Sequence, residues 1–270
     1  MSSARTFGAP ATALVRDVSA RFDRCLREHA EPPIDLDRAR AQHAGYVATL
    51  RKLGVAIEAV PPNDAHADGC FVEDTAVVTG AHAVMTIPGA PSRRAEGVEV
   101  RQTLSRLRTP NEMEGDARLD GGDVLRVNDL LLVGLSSRTN EAGASALARV
   151  AAEDGLETRT VPLAAGLHLK SVVTLVDPST LVMAPGLPRD LIEAIRSPGV
   201  ELVEADEPVG ANVLAVGDVV LASAGAPKTA ARLRARGTTV VDLDVSEFHL
   251  ADGALTCLSI RIPPPGGWCA

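Results

Sequence analysis

The chain has 270 residues, of which 46 % are apolar and only 2 % aromatic, with a formal net charge of −8. That is enough for one large domain or two small ones, with a core that Val, Leu, Ile and Ala must fill. The acidic balance and the lack of a basic stripe exclude nucleic-acid binding and suit a cationic small molecule, and no window approaches the roughly 20 apolar residues of a membrane span.

At the start, "MSSARTFGAP" has no apolar run after a basic beginning, so no leader peptide is expected. "ATALVRDVSARF" follows as a weak hairpin. From Asp35 to Leu53, apolar side chains recur at spacings of three and four (Leu36, Ala39, His43, Tyr46, Val47, Leu50, Leu53), and Gly54 stops the helix. "VAIEAV" then reads as a strand. Four stronger hairpins come later: "AVVTGAHAVMTIPG" from Ala76, "VLRVNDLLLVGLSS" from Val124, "VTLVDPSTLVMAPG" from Val173 and "VLAVGDVVLASAG" from Val213. Each is an apolar run, a polar turn and a second apolar run. Helical patterns follow in "PSRRAEGVEVRQTLSRLR", "TNEAGASALARVAAEDG", "LPRDLIEAIRSPG" and "PKTAARLRARG". Each yields to a strand-prone stretch: "ARLDGGDVL", "TRTVPL", "VELVEA" and "TTVVDLDV". "LTCLSIRI", Leu255 to Ile262, alternates as a strand, and "PPPGGWCA" reads as a loose tail.

The unit is therefore hairpin, helix, strand, recurring about five times at roughly 50 residues. No single unit covers its own apolar face, so neighbours must pack, and five units can close a ring around a central pocket. An ordinary three-layer α/β fold would show longer parallel strands and fewer hairpins. The expected organisation is one domain over residues 1–262 and a flexible tail over 263–270.

Polar groups interrupt this pattern at strand ends. In "DGCFVEDTAVV", Asp68, Glu73 and Asp74 crowd the start of an apolar strand, where carboxylates must meet a cation or water or change their pKa. In "RLDGGDVL", Asp120 and Asp123 flank two glycines that permit a sharp turn or a close approach. His168 stands at the head of a strand in "GLHLKSVVTLV". In "LTCLSIRI", Leu258, Ile260 and Ile262 share one face, leaving Cys257 on the polar face with Ser259 and Arg261, where a thiol that only packs does not belong. Taken one at a time, solvated turns and a packed histidine account for these residues. Together, carboxylates at one end and Arg93 or Arg138 at the other suit an amino acid with a cationic side chain. The remaining cysteines, Cys25, Cys70 and Cys269, form no zinc spacing and no disulfide framework, which fits a reduced, soluble, cytoplasmic protein.

The segments "FVEDTAVV", "PGAPSRR", "LDGGDVL", "VGLSSRTNEAGA", "LHLKS" and "DGALTCLS" occur in an order and spacing that resemble the dimethylarginine dimethylaminohydrolases, within the guanidino-group-modifying superfamily. The resemblance spans nearly the whole chain. It implies a five-bladed α/β propeller and hydrolysis of Nω-methylated arginines to citrulline and a methylamine, with no metal or other cofactor. It implies Cys257 as nucleophile, His168 as general acid and base, and Asp120 as the acid that orients guanidinium and histidine. It further implies Glu73 and Asp74 around the guanidinium and its neighbours, Asp68 as the acidic contact before them, Arg93 and Arg138 on the α-carboxylate, a backbone contact at Ala251, and Leu26 as a lid residue, although "RFDRCLREH" around Leu26 matches poorly. This chain has "DGCFVED" where "DSVFVED" or "DCVFVED" is usual, and Cys70 is read as a packed bystander. Alternatives are an arginine deiminase or another guanidino or ureido hydrolase, an amidinotransferase, and a non-catalytic binder of methylated arginine. The expected partner is a small-molecule substrate, not nucleic acid or membrane, and the protein is expected as a monomer or homodimer.

Overall fold

In a computed structural model of the protein, residues 6–29, 32–163 and 168–269 are described. Among them, five three-stranded sheets share one plan. Two strands pair antiparallel, a helix crosses over, and the third strand returns parallel to the second. Blade 2 is Ala76–Val78, Ala83–Met85 and Pro110–Glu112, with the helix Gly97–Leu104. Blade 3 is Val124–Val127, Leu130–Leu135 and Glu157–Pro162, with Glu141–Glu153. Blade 4 is Val173–Asp177, Thr180–Met183 and Glu201–Glu204, with Arg189–Ile195. Blade 5 is Leu214–Val216, Val219–Ser223 and Thr239–Leu243, with Pro227–Ala235.

Blade 1 departs from the predicted hairpin. Only Thr12–Val15 of "ATALVRDVSARF" is a strand there, and its antiparallel partner is Ile260–Ile262 from the far end of the sequence. Ala56–Ala59 completes the blade in parallel, after the helix Leu36–Lys52. Pairing residues so distant in sequence closes the ring. The first strands of neighbouring blades then meet around a central axis, and the result is a five-bladed α/β propeller.

Local chemistry explains the elements. Asn128 takes the left-handed conformation (φ 56°) in the two-residue turn of blade 3, as does Gly217 (φ 60°) in blade 5, which tight hairpins require. The Asp35 carboxylate caps the first helix by accepting from the Asp37 and Arg38 amides at 3.0 Å, and Gly54 (φ 84°) ends it. The core is aliphatic and lies between the blades and their helices, with one aromatic group where Phe22 meets Phe71 and Phe248.

Three further expectations change. "ARLDGGDVL" is not a strand: Gly121–Asp123 is a 3₁₀ turn, and the outer strand of blade 2 is Pro110–Glu112. "LTCLSIRI" becomes extended only at Ser259, because the Cys257 amide bonds back to Ala254 O at 3.2 Å and Thr256–Leu258 is a helical turn. His168 precedes the short helix Leu169–Val172, so its strand begins at Val173. The expected loose tail is tied down too. Gly267–Trp268 pairs in parallel with Thr6–Phe7, and the Trp268 ring lies 4.7 Å from that of Phe7 with the Arg126 guanidinium over it at 5.1 Å. Burying the chain's one indole supplies the order that the Pro- and Gly-rich composition conceals. Residues 1–5, Gly166, Leu167 and Ala270, named in the sequence readings, lie outside the described residues.

One element recurs that the sequence did not announce. A short helical turn stands just ahead of the first strand of every blade: Val72–Thr75, Gly121–Asp123, Leu169–Val172, Pro208–Ala211 and Thr256–Leu258. Neighbouring turns touch, so all gather at one end of the central axis.

Candidate active site

The polar residues singled out in the sequence sit on or beside these turns. Glu73 and Asp74 are on the turn of blade 2, Asp120 precedes that of blade 3, His168 that of blade 4, and Cys257 is within that of blade 1. Four segments remote in sequence thus converge because the propeller plan starts every blade in the same place.

His168 is buried, and its Nε2 lies 3.0 Å from Asp120 Oδ2. Asp120 is fully buried, and its other oxygen accepts from the Gly89 amide at 2.7 Å. On the second side, Asp74 Oδ1 is 3.9 Å from His168 Nδ1 and accepts from the Gly122 amide at 2.9 Å. The close packing explains the paired glycines. A Cβ at Gly122 would lie 2.6 Å from His168 Nδ1, and one at Gly121 would lie 2.0 Å from Glu73 O. Burial works to lower the His168 pKa, but Asp74, the bond to Asp120 and the nearby Asp123 outweigh it and raise it to about 9. The imidazole is therefore an imidazolium at neutral pH. Burial likewise pushes Asp74 up, but His168 and Arg93 overcome it and hold the carboxyl below the usual range.

Asp123, given no role in the sequence reading, fixes this arrangement from behind. Its Oδ2 accepts from Ser136 Oγ and Thr139 Oγ1 at 2.6 Å each, and its Oδ1 from the Leu169 amide at 2.9 Å. Thr139 Oγ1 in turn accepts from the Asp120 amide at 3.1 Å, so one carboxylate steadies both members of the Asp120–His168 pair.

Cys257 lines a cavity with Leu26, Asp68, Phe71, Asp74, Arg93, Arg138, His168, Ala251, Asp252 and Gly253. Nine of the ten predicted site residues are therefore on this cavity or, in the case of Asp120, directly behind its histidine. Burial, then Glu73 and Asp74, push the Cys257 thiol up to about 12. It is a thiol, not a thiolate, as long as no cation stands between it and those acids. The Asp68 carboxylate accepts from the Leu26 amide at 3.0 Å, and Asp252 (φ 54°) accepts from the Glu28 amide at 2.5 Å. These two bonds hold the segment carrying the half-exposed Leu26 over the cavity.

The two arginines differ. Arg93 is buried and mostly committed to the protein: Nη1 donates to Asp74 at 2.6 Å, Nε and Nη2 to Glu96 at 3.0 and 2.9 Å, and Nη2 to Phe71 O at 2.9 Å. Arg138 Nη1 is buried with no hydrogen-bond partner, at the cavity wall. A desolvated guanidinium N–H without an acceptor is costly, and an anion reaching the cavity wall would relieve that cost.

Glu73, expected beside the guanidinium, lines a second cavity further along the axis. Its Oε1 accepts from Lys170 Nζ at 2.8 Å and Arg261 Nη2 at 2.5 Å. Burial raises its pKa, but the two cations more than offset this and keep it ionised. Sequence reasoning missed Lys170. The available signal was that a carboxylate inside an apolar run needs a buried cation, and Lys170 and Arg261 fall two and four residues past His168 and Cys257.

Asp74, Asp120 and His168 are, among the described residues, the one group whose ligand atoms all lie within 4.8 Å of one another, a spacing suited to a small cation. No helix of the described residues is long and apolar enough to cross a membrane.

Fold and side chains together define a hydrolase of the guanidino-group-modifying class. A family model described as arginine deiminase matches residues 99–197. The chain is 37 % identical over 253 residues to the N(G),N(G)-dimethylarginine dimethylaminohydrolase of Streptomyces coelicolor, covering 93 % of this chain and 96 % of that protein. It is 30 % identical over 231 residues to that of Pseudomonas aeruginosa, covering 84 % and 89 %. A solved P. aeruginosa structure, a cysteine-to-serine variant complexed with citrulline, matches with a TM-score of 0.87 at 27 % identity over 94 % of this chain and 99 % of that one. A dimethylarginine dimethylaminohydrolase with its histidine replaced by glycine, as an adduct with S-methyl-L-thiocitrulline, matches with a TM-score of 0.85 at 26 % identity over 95 % and 99 %. The chain belongs to the dimethylarginine dimethylaminohydrolase family.

Proposed function

We propose that this protein hydrolyses Nω-methylated L-arginine to L-citrulline and methylamine or dimethylamine through a covalent Cys257 intermediate. The observation that carries the reading is a cavity whose lining has two opposite needs. Asp74 and Asp68 stand beside Cys257 and His168 as anions in search of a cation, and Arg138 with its unpartnered Nη1 lacks an acceptor. An amino acid with a guanidinium side chain satisfies both.

Asp74 takes the guanidinium, and Arg138 takes the α-carboxylate, with Arg93 contributing the Nη1 hydrogen that Asp74 leaves over. Asp68 holds the covering segment through Leu26, and Ala251 forms part of the wall. The bound cation neutralises the acids that keep the thiol protonated, so Cys257 loses its proton to solvent as substrate arrives. The thiolate attacks the guanidinium carbon, and the C–N π electrons move onto nitrogen. His168, steadied by Asp120, donates its proton to the methylated nitrogen as the C–N bond breaks and the amine leaves. The neutral imidazole then takes a proton from water, whose oxygen attacks the thiouronium carbon. The C–S bond breaks as the new hydroxyl gives its proton to solvent and becomes the carbonyl, the thiolate is restored and citrulline leaves. Proton transfer of this kind contributes about 10²–10⁴ in rate. The enzyme is read as cytoplasmic, a monomer or homodimer.

Arginine deiminase activity is the second reading, because the family model over residues 99–197 carries that description. A citrulline assay with arginine, monomethylarginine and dimethylarginine separates the two. Product from the methylated forms and little from arginine is expected. Product from arginine alone overturns the proposal. Cys257→Ser is expected to abolish turnover while substrate still binds by calorimetry, and normal turnover in that variant removes the nucleophile assignment.

A further inference from the structure

The turns that carry the chemistry are joined side by side. The turns of blades 2 and 3 meet through Asp74 and the Gly122 amide at 2.9 Å, and those of blades 3 and 4 through Asp123 and the Leu169 amide at 2.9 Å. The turn of blade 1 is tied to that of blade 2 by Arg261. Its Nη1 donates to Thr256 O at 2.9 Å, and its Nη2 to Glu73. One gap remains, between the turn that follows His168 and the turn that holds Cys257. A single side chain spans it.

That side chain is Asn212, which stands directly after the turn of blade 5 and is 4 % exposed. Its Nδ2 donates to Lys170 O at 2.9 Å and to Thr256 Oγ1 at 3.0 Å, and its Oδ1 accepts from the Thr256 amide at 3.2 Å. Thr256 immediately precedes Cys257, and Lys170 is two residues past His168. Both Nδ2 hydrogens and the carbonyl oxygen are used, so one amide is fully engaged by the two segments whose separation matters most. No other residue type does this. An aspartate lacks the donors, a glutamine is too long for the span, and a leucine of similar shape bonds neither side.

We infer that Asn212 is a positioning residue that sets the register of the Cys257 thiol against His168 by clasping Thr256 to Lys170. Asn212 does not line the substrate cavity and acts only through the two turns. The inference rests on the proposed roles of Cys257 and His168. Attack on carbon needs the reacting atoms held within a few tenths of an ångström, and a shift of about 1 Å costs about 10²-fold. The residues that grip substrate, Asp74 and Arg138, stand on other segments that the clasp does not touch.

The test uses the full chain and four proteins: wild type, Asn212→Ala, Thr256→Val and Thr256→Ser. Thr256→Val removes the hydroxyl acceptor and keeps the branched shape, whereas Thr256→Ser keeps the acceptor. Asn212→Ala is expected to lower kcat by about 10- to 100-fold with KM within about 3-fold of wild type, since misalignment acts on the chemical step and not on binding. Thr256→Val is expected to follow in the same direction, and Thr256→Ser to restore kcat. Unchanged kcat in Asn212→Ala, a rise in KM that accounts for the whole loss, or a Thr256→Ser as impaired as Thr256→Val overturns the inference. If Asn212→Ala does not fold, the two Thr256 variants decide it alone. Alkylation of Cys257 by iodoacetamide, followed by mass spectrometry, is a readout that needs no substrate. Both loosened variants are expected to react several-fold faster than wild type, and wild-type rates overturn the clasp. A wild type that makes no citrulline from any methylarginine defeats the proposed activity while leaving this alkylation test standing.

Discussion

The proton on His168 gives a measurable signature. An imidazole with its usual pKa of 6.5 is raised to about 9 in the folded protein. At about 1.4 kcal/mol per tenfold change in proton affinity, that rise is worth about 3 kcal/mol of folding stability. The unfolded chain releases this proton near pH 6.5 and the folded chain only near 9. The contribution is therefore complete below pH 6.5 and is lost as pH rises through 9. His168→Asn removes the titrating group and serves as the reference. Urea denaturation of wild type and variant from pH 6 to pH 10 reads the term as a difference, because groups remote from His168 titrate alike in both, and Asp74, which His168 helps to hold down, keeps Arg93 beside it. The wild type is expected to lose about 3 kcal/mol relative to the variant across this range. A flat difference, or a His168 NMR resonance titrating near 6.5, refutes the claim that Asp74 and Asp120 hold the imidazolium. With His168 as the proposed acid, the same pair is expected to set the alkaline limb of catalysis. A bound guanidinium beside Asp74 pulls the imidazole back down, so kcat is expected to fall at a lower pH than kcat/KM.

Two further predictions follow from side-chain geometry. Gly122→Ala places a methyl 2.6 Å from His168 Nδ1. The imidazole must then move off Asp120, with a kcat loss of about 10²-fold or more by a steady-state citrulline assay and a stability cost of about 1–3 kcal/mol by thermal denaturation. Arg138→Ala removes the partner proposed for a substrate carboxylate, so KM is expected to rise by about 10- to 100-fold while kcat changes little, and agmatine-like substrates lacking the carboxylate should lose nothing further.

The ring was legible because blades 2 to 5 each announce themselves by an apolar run, a polar turn and a second run, and because helices such as Leu36–Lys52 carry their own caps. What escaped was long-range. Nothing near Thr12–Val15 says that its partner is Ile260–Ile262, and nothing in "PPPGGWCA" says that Trp268 finds Phe7. Short helical turns are invisible to a reading based on period. Three residues at Thr256–Leu258 look like the continuation of a strand, which is why Cys257 was put on the polar face of one. Glu73 and Arg93 show a different limit. Their charges were placed in the right neighbourhood, but whether a buried ion faces a ligand or another side chain depends on partners such as Lys170 and Glu96, and sequence does not reveal those distances.

The closure of blade 1 has a consequence for how this enzyme comes into being. Thr12–Val15 leaves the ribosome early and must wait for Ile260–Ile262, and the segment that completes the blade also brings Cys257, the proposed nucleophile. The strands of blades 2 to 5, with Asp74, Asp120 and His168, all precede Cys257 in the chain. On the proposed mechanism, a nascent or truncated chain turns over no substrate, and chemistry begins only when the last stretch docks.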